Sequence, residues 1–210
     1  SVLVPLLVVF VASCTGDDAS EGPQFMTLPD VAGAGSAEPH LASTTDGTVV
    51  MSWLEPSEPG TDLRWSRLHG NQWEDPRTVA SGDNWFVNWA DFPSVEPISN
   101  SLWAAHWLVK RPGGTFAYDV AVSISEDAGS TWTEAVIPHQ DGTPTEHGFV
   151  SLFPWQDKIG ALWLDGRNMQ PSDDGHGHGG MTLRAVALDG DLARHSKTEV
   201  DGLVCDCCQT

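Results

Sequence analysis

Apolar and polar residues alternate along much of this chain with the two-residue period of β-strands. Val120, Val122 and Ile124 form one such run, with Ala121 and Ser123 between them. Alternation of this kind predicts strands that bury one face. No window sustains the 3.6-residue period of an amphipathic helix. The pattern therefore predicts an all-β protein.

The predicted strands recur at a fixed interval. Three stretches each contain a strand, a polar turn and a second strand that ends in tryptophan; they are 40–53, 93–107 and 149–163. The terminal residues Trp53, Trp107 and Trp163 are 54 and 56 residues apart and are assigned to the core. A second hairpin follows each stretch, so every repeat has four strands. Four-stranded units arranged radially form a β-propeller.

The repeats predict about half of a six-bladed β-propeller within residues 37–210. The predicted blades are about 37–82, 91–142 and 146–202, with the start of a fourth at 203–210. A β-helix has shorter repeats, and a sandwich has no reason to repeat at this length. We therefore expect this sequence to be part of a longer protein.

The first 36 residues differ from the rest. Residues 1–13 are mostly apolar and end next to Cys14, in a Val-Ala-Ser-Cys segment that resembles a bacterial lipobox. This segment is too short to span a membrane and is predicted to be a signal peptide. Residues 14–36 are rich in Gly, Ser, Ala and Asp and predict a flexible linker. We expect a lipoprotein of the bacterial cell envelope, periplasmic or on the outer-membrane surface, that contacts membrane only through lipid on Cys14.

The chain is strongly acidic. It has 29 Asp and Glu residues against 10 Lys and Arg residues, a formal net charge of −19 at pH 7. This charge repels a phosphate backbone, so the sequence argues against nucleic acid as a partner. An acidic surface also promotes solubility and does not by itself indicate a function.

One segment, 125–132, matches the pattern S-x-D-x-G-x-T-W at all five defined positions. The matching residues are Ser125, Asp127, Gly129, Thr131 and Trp132. Ser and Asp side chains bond the backbone of tight turns, and glycine permits a positive φ. The segment resembles the Asp-box, or BNR repeat, of sialidase-like β-propellers, where it has a structural role on the rim. A degenerate copy occurs at 66–73.

The sialidase resemblance implies a propeller that binds or hydrolyses a carbohydrate or glycoconjugate at the mouth of its central channel. As an enzyme, it would be an exo-sialidase-like glycoside hydrolase. Sialidases hold the substrate carboxylate with three arginines, the first from a Phe-Arg-Ile-Pro-like motif. The matching place here, Ala37-Glu38-Pro39, has no arginine, and Glu38 would repel a carboxylate. The sequence therefore argues against true sialidase activity.

Loops that lead into the first strand of each blade are expected to meet at the channel mouth. They carry Asp91, Glu146 and His147, which have the chemistry for acid–base work and are the candidate catalytic residues. The single tyrosine, Tyr118, is predicted to lie in an outer strand, away from the axis. No nucleophilic tyrosine is assigned.

Four further residues are candidates for ligand binding. His40 lies in the corresponding loop of the first blade. Trp85 and Trp89, beside Asp91, can stack on sugar rings or can instead fill space between blades. Arg167 can bind an anionic ligand, although a turn contact with Asp165 explains it more simply.

Two groups of residues suggest a divalent or soft metal ion, and no other cofactor is predicted. His176 and His178 alternate with glycine in an insertion, which can also be a plain polar loop. Cys205, Cys207 and Cys208 suit structural disulfides, reactive thiol chemistry, or soft-metal ligation together with His147. The alternatives to a carbohydrate site are therefore a metal-binding propeller with His40, His147 and the cysteines at its axis, or a non-catalytic interaction platform.

Overall fold

The computed structural model of the chain describes residues 25–169 and 179–205. Within these ranges it contains twelve strands and no helix, and no helix that could cross a membrane is found there. The strands form three successive antiparallel sheets. The all-β prediction is confirmed.

Each sheet corresponds to one blade. The first contains β1 (Ala37–Ser43), β2 (Val49–Pro56), β3 (Thr61–His69), β4 (Gln72–Trp73) and β5 (Arg77–Gly82). The second contains β6 (Ser94–Pro97), β7 (Trp103–Lys110) and β8 (Tyr118–Ser125), and a bridge from Val122 to Val136 supplies its outer edge. The third contains β9 (His147–Trp155), β10 (Lys158–Asp165), β11 (Met181–Leu188) and β12 (Arg194–Val204). The chain thus folds as part of a β-propeller.

Some predictions fall at the edge of the described residues or beyond it. Leu203 and Val204, which the repeat assigns to a fourth blade, instead belong to β12, where Val204 pairs with Met181. The third blade therefore ends later than predicted. The predictions for residues 1–24, including Cys14, and for His176, His178, Cys207 and Cys208 lie outside the described residues.

The apolar core lies between neighbouring blades. In β8, Val120, Val122 and Ile124 pack toward the third blade, whereas Ala121 packs toward the first. Every residue of β8 is buried. The alternation predicts one buried face, but both are covered because the middle blade has a neighbour on each side.

The tryptophans that end the second strand of each repeat belong to this core, as predicted. Trp53, Trp107 and Trp163 are at most 7% exposed. Two of them satisfy their indole N–H within the same strand: Trp53 donates to Glu55, and Trp163 donates to Asp165. A carboxylate two residues after the tryptophan lies on the same side of a strand, so this pairing follows directly from strand geometry.

The Asp-box turn has the hydrogen bonds that its pattern predicts. Ser125 Oγ accepts the N–H of Gly129 at 2.8 Å, and the Asp127 carboxylate accepts from the backbone N–H and the hydroxyl of Thr131. Gly129 has a φ of 84° and lies against Trp65, where a Cβ would come within 2.5 Å of the indole. The turn thereby holds the second blade against the first.

Replacing Ser125 by alanine is expected to destabilise the protein by about 1–3 kcal/mol, because the buried N–H of Gly129 loses its acceptor. Urea unfolding measures this effect. The exposed Ser130 of the same turn is a matched control, and its alanine variant is expected to change stability by less than about 0.5 kcal/mol. Equal effects of the two substitutions would contradict this role for Ser125.

Candidate functional site

Three side chains meet where the second and third blades adjoin. The Tyr118 hydroxyl donates to Glu146 Oε1 at 2.8 Å and lies 3.3 Å from Asp91 Oδ2. Both carboxylates thus contact one phenol oxygen, which limits the separation of those two carboxylate oxygens to about 6 Å. We call these three residues the Tyr118 cluster.

Local backbone structure sets the position of Asp91. Asn88 forms a turn before it, in which the side chain of Asn88 accepts the N–H of Ala90. On the opposite side, a bulge in β9 gives Phe149 a φ of 52°, and the Phe149 N–H donates to Asp91 Oδ1 at 2.8 Å. Bulges often redirect backbone groups near functional sites. Here the bulge ties the loop before β6 to the third blade.

The members of the Tyr118 cluster differ in exposure. Asp91 and Tyr118 are 3% and 1% exposed, whereas Glu146 is half-buried. Burial raises the pKa of Tyr118 far above its ordinary value, and the negative charges of Asp91 and Glu146 raise it further. Tyr118 is therefore a neutral hydrogen-bond donor, and Glu146 is the member open to solvent.

Burial also raises the pKa of Asp91 to about 7; the hydrogen bonds from Phe149 and Tyr118 oppose this shift, and the charge of Glu146 adds to it. The unfolded chain releases this proton near pH 3.8, so the folded state holds one more proton between pH 3.8 and about 7. The stability that this proton contributes is complete below that interval and is lost as the pH rises through it.

Unfolding free energies measured across this interval test the shift. The wild-type protein is expected to lose more stability than the Asp91→Asn variant as the pH rises from 3.8 to about 7. Asparagine keeps an acceptor for the Phe149 N–H and cannot ionise. Parallel pH profiles would show that Asp91 ionises normally in the folded protein.

The structure places Tyr118 at the candidate site, where the sequence did not predict it. It also separates His147 from the other two predicted catalytic residues, Asp91 and Glu146. Tyr118 starts the third strand of its blade, yet its long side chain reaches Asp91 and Glu146. His147 does not join them, because its ring is fully buried and faces a different group of residues. Sequence reasoning missed Tyr118 because it placed residues by strand number and not by their position along the strand.

The other predicted ligand-binding residues differ in their surroundings. His40 contacts Glu96 at 2.6 Å. Trp85 is 7% exposed and stacks on Trp107, so it belongs to the core, which is the second of the two roles that the sequence allows for it. Trp89, in contrast, is 83% exposed and lies two residues before Asp91. An exposed indole in this place remains a candidate platform for a sugar ring.

Arg167 makes the predicted turn contact. Its guanidinium donates to both oxygens of Asp165, at 2.7 and 2.6 Å. The side chain also borders a cavity of about 210 Å³ at the edge of the third sheet, together with Arg184 and Lys197. Arg184 is in turn paired with Glu199. These ion pairs neutralise two of the three cations, so the cavity does not resemble a site for an anionic ligand.

A second polar group lies beside the Tyr118 cluster, and His147 is its only member that the sequence predicts as a metal ligand. We call it the His147 cluster; it comprises Asp119, His139, Asp141, His147 and Asp165. The imidazole rings of His139 and His147 stack in parallel at 3.8 Å. The predicted metal ligand Cys205, which is exposed, is not part of either ligand group that these residues form. The sequence feature that could have indicated this cluster is the pair of ligand-type residues His139 and Asp141, in the loop between the second and third blades.

Neither a family model nor a curated protein matches the chain. Two similar solved structures are an α-L-arabinanase from Penicillium chrysogenum and an α-L-arabinofuranosidase from Fusarium graminearum, both complexed with arabinobiose. Each is 14% identical, with TM-scores of 0.55 and 0.52. The alignments cover 82% and 78% of this chain and 52% and 49% of those chains, so the chain spans about half of their length. The likeness shows the β-propeller fold.

Proposed function

We propose that the Tyr118 cluster binds a carbohydrate and hydrolyses a glycosidic bond. The observation that carries this proposal is the pair of carboxyl groups, Asp91 and Glu146, joined by one phenol oxygen. Glycoside hydrolysis needs two carboxyl groups with different protonation states at working pH. Burial keeps a proton on Asp91 to about pH 7, while Glu146 is open to solvent.

Each residue has a role in this proposal. Glu146 contacts the substrate as the ionised carboxylate, and the Tyr118 hydroxyl orients it. Asp91, the protonated member of the pair, gives its proton to the glycosidic oxygen as the bond to the anomeric carbon breaks and Glu146 forms an ester with that carbon. Water then hydrolyses the ester and returns a proton to Asp91. Their separation of at most about 6 Å lies below the 6.5–9.5 Å of inverting enzymes, so we expect retention of configuration. Trp89 provides an exposed face for a sugar ring.

The substrate we propose is a neutral glycan. The chain has a formal net charge of −19, and Ala37-Glu38-Pro39 has no arginine at the place where sialidases bind a carboxylate. A sialic acid is therefore a poorer fit than an uncharged sugar. The arabinobiose complexes of the two similar structures make arabinose-containing oligosaccharides a sensible first choice for a substrate panel.

The test is a panel of neutral and sialylated oligosaccharides, assayed for binding and cleavage with the full-length protein. Glu146→Gln is expected to lower hydrolysis by about 10²–10⁴-fold while the protein still binds the glycan. Glu134→Gln, at an exposed glutamate outside the cluster, is the control and is expected to behave as wild type. A protein that binds no sugar, or a Glu146→Gln variant with full activity, would contradict the proposal and favour an interaction platform.

A further inference from the structure

The His147 cluster has a hydrogen-bond pattern that selects one tautomer of His147. Its Nδ1 lies 3.0 Å from the carbonyl oxygen of Thr145 and 3.2 Å from that of Tyr118. Carbonyl oxygens only accept hydrogen bonds, so Nδ1 carries the proton. In a neutral imidazole, the lone pair then lies on Nε2.

This Nε2 atom is buried, and no described residue forms a hydrogen bond with it. Asp141 Oδ2 and Asp165 Oδ1 are nevertheless close, at 3.2 and 3.8 Å. The shorter contact meets the distance for a hydrogen bond but not its direction. A buried nitrogen without a partner is costly, and such groups in native proteins call for a reason. A cation bound by all three atoms would explain the unpaired nitrogen.

We propose that His147 Nε2, Asp141 and Asp165 bind a divalent transition-metal ion, for which Zn²⁺ is the probe. Zinc bonds nitrogen and oxygen at about 2.0–2.2 Å in a tetrahedral site, which places neighbouring ligand atoms roughly 3.3 Å apart. The observed separations of 3.2 and 3.8 Å are close to this value. A metal-bound histidine also commonly donates its other N–H to a backbone carbonyl, as Nδ1 does here.

The alternative ligand set of Asp119, His139 and His147 fits less well. His139 Nε2 accepts the N–H of Val120 at 3.3 Å, and its Nδ1 lies 3.2 Å from Asp141 Oδ2. Both nitrogens of His139 are thus used within the protein, as is Nδ1 of His147. His139 is better described as a positioning residue whose Nδ1 keeps the Asp141 carboxylate in place.

Charge and burial indicate a structural ion. Asp141 and Asp165 share one guanidinium, that of Arg167, at 3.2 and 2.6 Å. With His147 neutral, the group keeps one net negative charge, which suits a cation. His147 and Asp165 have no exposed area, and closed sites of this kind stabilise a fold. The ion would tie the loop that carries Asp141 to β9 and β10. This inference is independent of the proposed hydrolysis.

The first test is calorimetric titration of chelator-treated full-length protein with Zn²⁺. Wild type is expected to bind one equivalent tightly. His147→Gln and Asp165→Asn should each lose more affinity than the about 10–100-fold expected for the supporting variant His139→Gln. Cys205→Ser and the surface variant His195→Gln are controls that should retain the site. Absence of binding by wild type, or unchanged binding by His147→Gln, would overturn the proposal.

X-ray absorption of the wild-type protein with one equivalent of Zn²⁺ provides a measurement that does not depend on buried variants. The spectrum should show one imidazole and oxygen ligands. Sulfur scattering would place the ion on the cysteines instead, and two or more imidazoles would place it on another histidine group; either result would overturn the assignment.

Discussion

The Gly148→Ala variant is expected to lose the Tyr118 cluster and much of the stability of the third blade. A Cβ at this position would lie 2.0 Å from Asp91 Oδ2 and 2.8 Å from a ring carbon of Tyr118. Neither neighbour can move easily, because Asp91 is held by the Phe149 N–H and Tyr118 stacks on Phe86. The loss should reach the upper part of the about 1–3 kcal/mol range for overpacked cores.

The effect of this substitution on function should exceed its effect on stability. Displacing the Asp91 carboxylate breaks its contact with Tyr118, so the proposed glycan cleavage should be absent even at temperatures where the variant is folded. Gly190→Ala is the matched control, because its Cβ would meet only Glu126 Oε1 at 3.5 Å. Urea unfolding and the glycan assay measure the two effects. A Gly148→Ala variant that is as stable and as active as Gly190→Ala would contradict the close packing described here.

The Asp165→Ala variant should be the most destabilised single-carboxylate variant of the His147 cluster. Asp165 has no exposed area and accepts hydrogen bonds from Trp163 Nε1 and from the backbone and side chain of Arg167. Removal of this carboxylate leaves a buried indole N–H without its acceptor and, among the described residues, leaves Asp141 as the one carboxylate paired with Arg167. Breaking a buried ion pair from one side typically costs about 3–5 kcal/mol.

Chemical denaturation in the presence of a chelator measures this loss without any contribution from metal. Asp189→Ala is the control, since the Asp189 ion pair with His195 lies at the surface and should matter little. Asp165→Asn should fall between the two because it keeps an acceptor for Trp163. A midpoint for Asp165→Ala equal to that of Asp189→Ala would show that Trp163 and Arg167 find other partners.

Two of the three residues in the Tyr118 cluster could be predicted from the sequence. Asp91 and Glu146 were predicted to meet because both precede the first strand of a blade, and the structure brings them to one hydroxyl. The hydroxyl itself was missed. Tyr118 is in the third strand of its blade, but it is the first residue of that strand and so lies at the same end as the loops.

Metal ligands are harder to predict from the sequence. The sequence predicted metal ligands where His or Cys residues are dense, at His176, His178 and the C-terminal cysteines, with His40 and His147 as possible partners of the cysteines. Among the described residues, the structure brings the predicted ligand His147 together with Asp141 and Asp165, which are dispersed in the sequence. A cluster of His or Cys residues can be recognised in a short stretch of sequence, whereas a set of metal ligands requires side chains that are close together in space.

The strands, their recurrence in three repeats and the Asp-box turn follow from local sequence. All of these depend on residues close together in the chain: alternation within β8, the spacing of Trp53, Trp107 and Trp163, and hydrogen bonds that span four residues between Ser125 and Gly129. Packing between blades, in contrast, buries Trp85, separates the ring of His147 from Glu146 and brings Tyr118 to the carboxylates. Those outcomes depend on blade packing and on the bulge that turns the N–H of Phe149 toward Asp91, 58 residues away. No local pattern encodes such a contact, because its geometry exists only after the blades have come together.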